Sequence, residues 1–450
     1  MTATVAPVDQ ALTDEAVRHL RALIRLDTTN PPGAEDAAAR YIADTCREAG
    51  IEAEVVGGAP GRGNVAARLR AASPLARPLM LTGHTDVVSV EHDRWTVDPF
   101  GGELRDGYVW GRGALDMKSQ VAAELAVLLR LKRDGVALDR DITLVAFADE
   151  EAGGEWGASW VWNHRRDLLD AEYAINEGGG EAIRLGGQTF YLCQAGEKGT
   201  ARLRLTARAA PGHASIPRDD TAMRRLGEAL VRLHGWEPPT ILTGPVRQLL
   251  ATVGPSLDGD GPVAVERILA EPSPRWADIA ALGFDDDTRS LLRATTRNTA
   301  VPTIVHGGHR INVIPSEVVL DVDGRILPGE DPDVWRDQVQ AVVGDGIEVE
   351  LLSRDAGIAA DPASPLFDAI AATIDALDPG ARVAPYLVSG GTDAANLPGI
   401  KVYGFFPFPP SERVGEYTPL VHGHDERIAV ADLAFATRFL HDLVRRFCGA

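Results

Sequence analysis

Cysteine is scarce in this 450-residue chain, and its three copies (Cys46, Cys193, Cys448) share no CxxC spacing. Neither a disulfide framework nor a thiolate zinc site is expected, so any metal must sit on histidine and carboxylate. Positive charge is in deficit too: 45 Lys and Arg against 65 Asp and Glu leave a formal charge of −20. That excess argues against a nucleic-acid partner and for small molecules or proteins. No apolar run approaches the roughly 20 residues that span a bilayer, so no membrane partner is expected. The opening MTATVAPVDQALTDEAVRHL lacks the basic start and apolar stretch of a signal peptide, which leads to the expectation of a cytoplasmic protein. Internal repeats and low-complexity tracts are absent as well. The remaining composition is that of a globular protein with apolar area for more than one core, and two domains are the prior for this length.

Between Glu15 and Ala49 apolar residues recur at helical spacing, broken by Asn30, Pro31, Pro32 and Gly33, which reads as helix, turn, helix. The runs PLMLTGHTDVV and DITLVAFADEE flank an amphipathic stretch, Met117 to Arg133, that ends near Gly135. This is strand, helix, strand, and AEYAINEGGG continues the alternation. Continuous apolar strands imply a parallel or mixed sheet between helices, so the class is α/β. After Gly196 the texture changes. TARLRLTARA alternates with a period near two, a helix follows from about Thr221 to Leu233, and TIVHGGHRINVIP and EVVLDVDGRIL are strand-like. The stretch from Trp236 to Ala300 reads as loops and short helices. From about Ala359 the α/β pattern resumes and closes on a helix from Glu426 to Phe447. A smaller α+β domain is thus inserted in a larger one, with segments 1–197, 198–354 and 355–450.

Chemistry concentrates where strands end. His84 and Asp86 close an apolar strand, and an i, i+2 pair in extended chain points to one side. One can bind a metal while the other orients it, although ordinary turn hydrogen bonds explain the pair equally well. Asp116 stands between a Gly-rich turn and a helix, where it could simply cap that helix. Glu150 and Glu151 end the next strand. Adjacent acids repel unless a cation lies between or one is protonated, so they suit a metal ligand beside a proton acceptor. Glu177 closes a third apolar strand. In VHGHDERI, His422 and His424 precede the last helix, which Asp425 or Glu426 can cap, and either imidazole could complete an oxygen-rich zinc site.

Taken together, GHTDVV, GRGALDMKS, FADEEAGG, INEGG, PGHASIP, NVIP, SGGTDAANL and HGHDE resemble, in order, the motifs of the co-catalytic zinc metallopeptidase family. That family includes aminoacylases, carboxypeptidase S, glutamate carboxypeptidase, acetylornithine deacetylase and succinyl-diaminopimelate desuccinylase. The resemblance runs from about His84 to Glu426. It implies a di-zinc exopeptidase-like catalytic domain, with a mostly parallel sheet between helices, and an inserted lid through which the chain forms a homodimer. It further implies two Zn2+ per chain, with Co2+ or Mn2+ as substitutes. Asp116 would bridge them, His84 and Glu177 completing one site and Glu151 and His422 the other. His424 falls at a variable position.

By the same resemblance Asp86 accepts a hydrogen bond from His84, fixing its tautomer, and the peptide between Asp116 and Met117 is cis. Glu150, left without a metal, is the implied general base for a water whose pKa falls toward about 7. His213 is implied to reach in from the partner subunit as an oxyanion donor. Asn312, Arg325, Gly391 and Thr392 are implied to hold the substrate carboxylate, a task suited to a guanidinium fork and loop amides. Arg325 has a plain alternative in a surface ion pair within DVDGRIL.

The expected reaction is hydrolysis of an amide bond in an N-acyl amino acid or a short peptide with a free carboxylate. A dedicated biosynthetic deacylase of the acetylornithine or succinyl-diaminopimelate type shares every site residue. A metal-retaining, non-catalytic binding protein is the rival from another class, and Glu150 argues against it. Two features lean toward the carboxypeptidase S and aminoacylase branch: the length of the 236–300 stretch, and Glu177 where aminopeptidase relatives more often carry Asp. Ser119, where relatives commonly have Gly, should leave ligation intact. Asp285 to Asp287 reads as a solvated loop, since EF-hand spacing is missing.

Overall fold

The apolar runs Leu79–His84, Ile142–Phe147 and Tyr173–Asn176 are buried along their whole length. Strands covered on both faces need no alternation, which is why their sequences lack it. A computed structural model describes residues 9–410 and 417–449 and divides into two compact units. The first comprises the chain up to Ala195, Ala360–Tyr386 and Thr392 onward; the second comprises Gly196–Ala359 with Leu387–Gly391.

In the first unit the strand order is Glu52–Val56, Asn64–Leu69, Ile142–Phe147, Leu79–His84, Tyr173–Asn176, Lys401–Gly404, Gln188–Glu197. From Ile142–Phe147 through Lys401–Gly404 neighbouring strands are parallel, and antiparallel strands flank them. Parallel neighbours need a crossover. The helix Lys118–Asp134 supplies it between Leu79–His84 and Ile142–Phe147, whose register sets His84 beside Phe147. This helix stops where Gly135 turns left-handed at φ +60° and donates its amide to Leu131 and Lys132 carbonyls, a closure that glycine allows at little cost. The opening motif forms Gln10–Ile24 and Asp36–Glu48. Gln10–Ile24, Lys118–Asp134 and the C-terminal helix Val430–Cys448 pack together around Leu20, Leu23, Leu125, Leu128, Phe439 and Leu443.

Two expectations need correction here. The last helix begins at Val430 rather than Glu426, because Arg427–Ala429 pairs as a strand with Tyr108–Trp110. Asp285 is not in a solvated loop: its carboxylate accepts the Thr288 amide and caps the helix Asp286–Thr295. Asp-Asp-Asp is a strong helix start because a capping acid and first-turn acids both favour the N-terminus.

The second unit is an antiparallel sheet ordered Thr299–Gly307, Glu317–Ile326, Leu203–Arg208, Ile347–Leu351. Glu317–Ile326 alternates buried and less buried residues along its length, the period-two signature of a sheet with one covered face. The helices Ala222–Gly235 and Pro332–Val343 cover that face, with Leu205, Leu226, Leu233 and Trp335 in the core and Trp236 stacked on Trp335 at 5.3 Å. The short helices Gly244–Val253, Gly261–Ala270, Trp276–Ala280 and Asp286–Thr295 fill the 236–300 stretch. Among the described residues no helix is long and apolar enough to cross a membrane.

One buried acid sits inside the helical layer. Glu124, fully buried, accepts from Gln120 Nε2 at 3.0 Å, and burial pushes its carboxyl up to about 8 from 4.5. The folded chain keeps this proton where the unfolded chain releases it, so stability falls as pH rises from about 4.5 to about 8. Glu124→Gln should flatten that slope and raise the melting temperature at pH 8 by roughly 2–4 °C. Thermal melts of both proteins across this range, showing parallel curves, would contradict it.

Candidate metal centre

Each ligand candidate leaves the carboxyl end of a parallel strand or a loop beside one, where open α/β sheets present ligand sites. His84 is the last residue of its strand. Glu150 and Glu151 open a single 3-10 turn just after Ile142–Phe147, and Glu177 follows Tyr173–Asn176 directly. Asp116 lies ahead of the helix Lys118–Asp134, and its peptide bond to Met117 is cis. His422 stands in the loop before Arg427–Ala429.

These side chains converge. His84 Nε2 is 3.1 Å from Asp116 Oδ1 and 3.7 Å from Glu177 Oε1. His422 Nε2 is 3.1 Å from Asp116 Oδ2 and 3.2 Å from Glu151 Oε2. Two triads result, His84–Asp116–Glu177 and Asp116–Glu151–His422, each with ligand atoms within 4.8 Å of one another. Asp116 belongs to both and turns one oxygen to each. Glu150 belongs to neither, although its Oε2 lies 3.9 Å from His84 Nε2. His424 faces Glu91 at 4.0 Å instead.

The electrostatics are those of a cation site. Burial alone would depress the His84 imidazole, but Glu177, Asp116, Asp86 and Glu150 outweigh it and hold its pKa well above the ordinary value. Hydrogen bonds to Asp116 and Glu151 lift His422 to about 10. Burial raises Glu150 and Glu177 well above the carboxylate range; His84 opposes this and the neighbouring acids add to it. Asp116 is held below that range by the two imidazoles in spite of its burial. More acids than imidazoles share the pocket, and divalent cations are the groups that reverse such repulsion. Two imidazoles and three carboxylates, one of them shared by both triads, fit a dinuclear centre.

Behind the candidate ligands lie further contacts that hold them. His84 Nδ1 is 3.0 Å from the Asp86 carbonyl oxygen and 3.5 Å from its Oδ1, so the backbone oxygen makes the shorter contact. The Asp86 carboxylate accepts the amides of Glu150 and Glu151, both at 3.1 Å, and Asn30 Nδ2 at 2.8 Å. Asn30 also donates to Asp149, which pairs with Arg62 at 3.0 Å, and Arg62 pairs with Glu35 at 2.5 Å. On the other side Glu426, fully buried, accepts the amides of Gly113, Leu115 and Asp116 and pairs with Arg112 at 2.6 Å.

The sequence alone points to none of Asn30, Glu35, Arg62, Asp149 and Arg112 as supports of the site, and it offers Glu426, as an alternative to Asp425, only as a helix cap. Arg112, Asp149 and Glu426 fall inside the motifs GRGALDMKS, FADEEAGG and HGHDE. A lone Arg62 between glycines carried no signal. Thr392, in the first unit, accepts from Asn176 Nδ2 at 3.1 Å.

The remaining candidates lie in the second unit. His213 pairs in a two-residue ladder with Val313, and the Asn312 carbonyl accepts the Ala214 amide at 3.0 Å. The Ser215 amide donates to His213 Nδ1 at 3.2 Å, so the ring proton sits on Nε2, which is then a donor. The Arg325 guanidinium engages Asp323 Oδ1 at 2.9 Å and Thr200 Oγ1 at 3.2 Å. The ion pair within DVDGRIL is therefore present. Gly391 is exposed.

Comparisons with known proteins point to one family. The profile described as Peptidase family M20/M25/M40 matches residues 80–446. A probable carboxypeptidase S-like 2 of Dictyostelium discoideum is 27% identical over 379 residues, covering 82% of this chain and 71% of that protein. Human aminoacylase-1 is 26% identical over 424 residues, covering 92% and 90%. The fold is shared with a metallo-carboxypeptidase of Sulfolobus solfataricus at a TM-score of 0.71 and 18% identity, over 96% of this chain and 99% of that one.

The shared carboxylate makes a prediction about metal content. Elemental analysis should give about two divalent ions per chain for wild type, about one for Glu177→Ala and fewer than one for Asp116→Ala. Retention of two ions by Asp116→Ala would show that it bridges nothing.

Proposed function

The chain belongs to peptidase family M20/M25/M40, and from that premise we propose that it is a di-zinc amidohydrolase of N-acyl amino acids or short peptides bearing a free carboxylate. Membership makes it a metallohydrolase of amide or peptide bonds in a family of metal-dependent, typically dinuclear enzymes. The observation that carries the reading is Glu150: a carboxylate beside both triads yet part of neither. Zinc suits two imidazoles and three carboxylates, with cobalt or manganese as substitutes. When bound, the two ions would lower the pKa of a water and polarise the scissile carbonyl.

The chain's own groups supply the rest. Glu150 takes a proton from water and delivers it to the leaving amine; burial that holds its carboxyl above the usual range suits it to keep a proton between the two steps. His213 donates from Nε2 to the developing oxyanion. Asn312, Arg325, Gly391 and Thr392 take the substrate carboxylate, with Arg325 shared between Asp323 and the ligand. A dedicated biosynthetic deacylase would use the same groups, and no observation favours it.

The proposal includes a homodimer through the second unit, with His213 acting across it, and a cytoplasmic location. Thr299–Gly307 is an edge strand with Val301, Ile304 and Val305 exposed. A long apolar edge invites a second chain unless something covers it.

Glu150→Ala should keep its metal and lose about 10²- to 10⁴-fold in turnover on a panel of N-acyl amino acids and dipeptides. Full activity of that variant would remove Glu150 as the general base, and a wild type that holds metal but turns over nothing on the panel would leave the binding-protein reading as the better one. Mixing Glu150→Ala with His213→Ala, each inactive alone, should restore about a quarter of wild-type turnover through heterodimers. No recovery, with subunit exchange verified by mass, would place His213 in its own chain's reaction or outside it.

A further inference from the structure

The second unit contains a cavity of about 580 Å³ that the hydrolytic reading does not use. Leu230, Leu233, Trp236, Pro238, Arg293 and Arg297 form much of its wall, together with the start of the strand Thr299–Gly307. Volume and apolar lining are those of a small-molecule site.

The unusual member is Arg297. It is 4% exposed, its Nε reaches no acceptor among the described residues, and no carboxylate among them pairs with its guanidinium. The Trp276 ring lies 5.2 Å from Cζ, and the Glu237 carboxylate, already paired with Arg293, acts on Arg297 only through space. Neighbouring cations are satisfied by contrast. Arg293 pairs with Glu237 at 3.3 Å. Lys198 directs its Nζ protons to the Ala294 and Arg297 carbonyls and to Thr299 Oγ1, at 2.9, 2.9 and 3.1 Å.

A guanidinium stays protonated even when buried, and a buried charge with no directly paired counter-charge is unfavourable. The missing element is therefore an anion. Its remainder must suit leucine, tryptophan and proline walls, which excludes a polyanion such as a nucleotide and favours a single charge on an aliphatic body. The chain's own net charge of −20 gives no general attraction for such a ligand, so the local cation must provide it.

We propose that this cavity is a binding site for a fatty acid, with the carboxylate on the Arg297 fork and the aliphatic chain along Leu230, Leu233 and Trp236. A planar fork and a carboxylate match in two parallel charge-assisted hydrogen bonds. The site does not rest on the amidohydrolase reading, because occupancy is read without turnover.

Calorimetric titration of the full-length protein with laurate, octanoate and 1-dodecanol, below micelle concentrations, tests the site. One laurate should bind per chain, with affinity rising about threefold to fourfold per methylene from octanoate. The uncharged 1-dodecanol should bind at least about tenfold more weakly, and Arg297→Gln should weaken laurate by at least about tenfold. Leu230→Trp, which fills the cavity and leaves the guanidinium intact, should weaken laurate equally, and it carries the test if Arg297→Gln melts below wild type. Absence of laurate binding, equal binding by these variants, or equal binding of 1-dodecanol overturns the proposal.

Discussion

The constraint on which the first unit depends is electrostatic: Asp116, Glu150, Glu151 and Glu177 crowd one end of a buried parallel sheet with only two imidazoles to balance them. In a largely buried surrounding such a cluster does not hold its charge easily unaided, and the raised carboxyls of Glu150 and Glu177 express that. Cations resolve it. The arrangement therefore trades stability for function, and the remainder of the unit is organised to keep the acids where repulsion would scatter them.

That organisation is made largely of backbone amides pointed at buried carboxylates. Asp86 gathers the amides of Glu150 and Glu151, while Glu426 gathers those of Gly113, Leu115 and Asp116. Each acid thereby fixes a ligand-bearing segment that is remote in sequence. Each also needs partners of its own: Asn30 for Asp86, with Arg62 linking Asn30, Glu35 and Asp149, and Arg112 for Glu426. Single removals in such networks leave an uncompensated buried charge, so they are felt well beyond the residue replaced.

This division explains what sequence could and could not reveal. Element types followed from periodicity: buried parallel strands gave unbroken apolar runs, and Glu317–Ile326 alternated because one face of its sheet is open. The members of the two triads could be picked out because they recur at strand ends inside the motifs, while the choice of His422 over His424 came from the family resemblance alone. Asp86 apart, supporting residues were not legible, since Arg62 and Asn30 act through pairings with residues far along the chain and no local pattern encodes such contacts. Glu426 was misread for a related reason. An acid before a helix has a local explanation as a cap, and only the fold shows that its carboxylate turns toward the Asp116 loop. Arg325 held two local readings, and the structure exhibits its pairing with Asp323.

Backbone conformation gives an argument independent of motifs. Asp106, Asp149, His422 and Asp425 are the non-glycine residues with positive φ among those described. Three of them flank or form the metal centre: Asp149 at +68° precedes Glu150, His422 at +59° is a ligand candidate, and Asp425 at +58° precedes Glu426. Left-handed backbone costs an L side chain on the order of 1 kcal/mol or more, and glycine would relieve it. Glycine cannot replace these three without loss. Asp149 needs its carboxylate for Arg62, Asn30 and the Trp156 amide; Asp425 needs its own for the Thr96 amide; and His422 needs its imidazole for Asp116 and Glu151. The strain persists where side chain and backbone are both required, and that coincidence at the two loops carrying Glu150, Glu151 and His422 marks the same site the carboxylates mark.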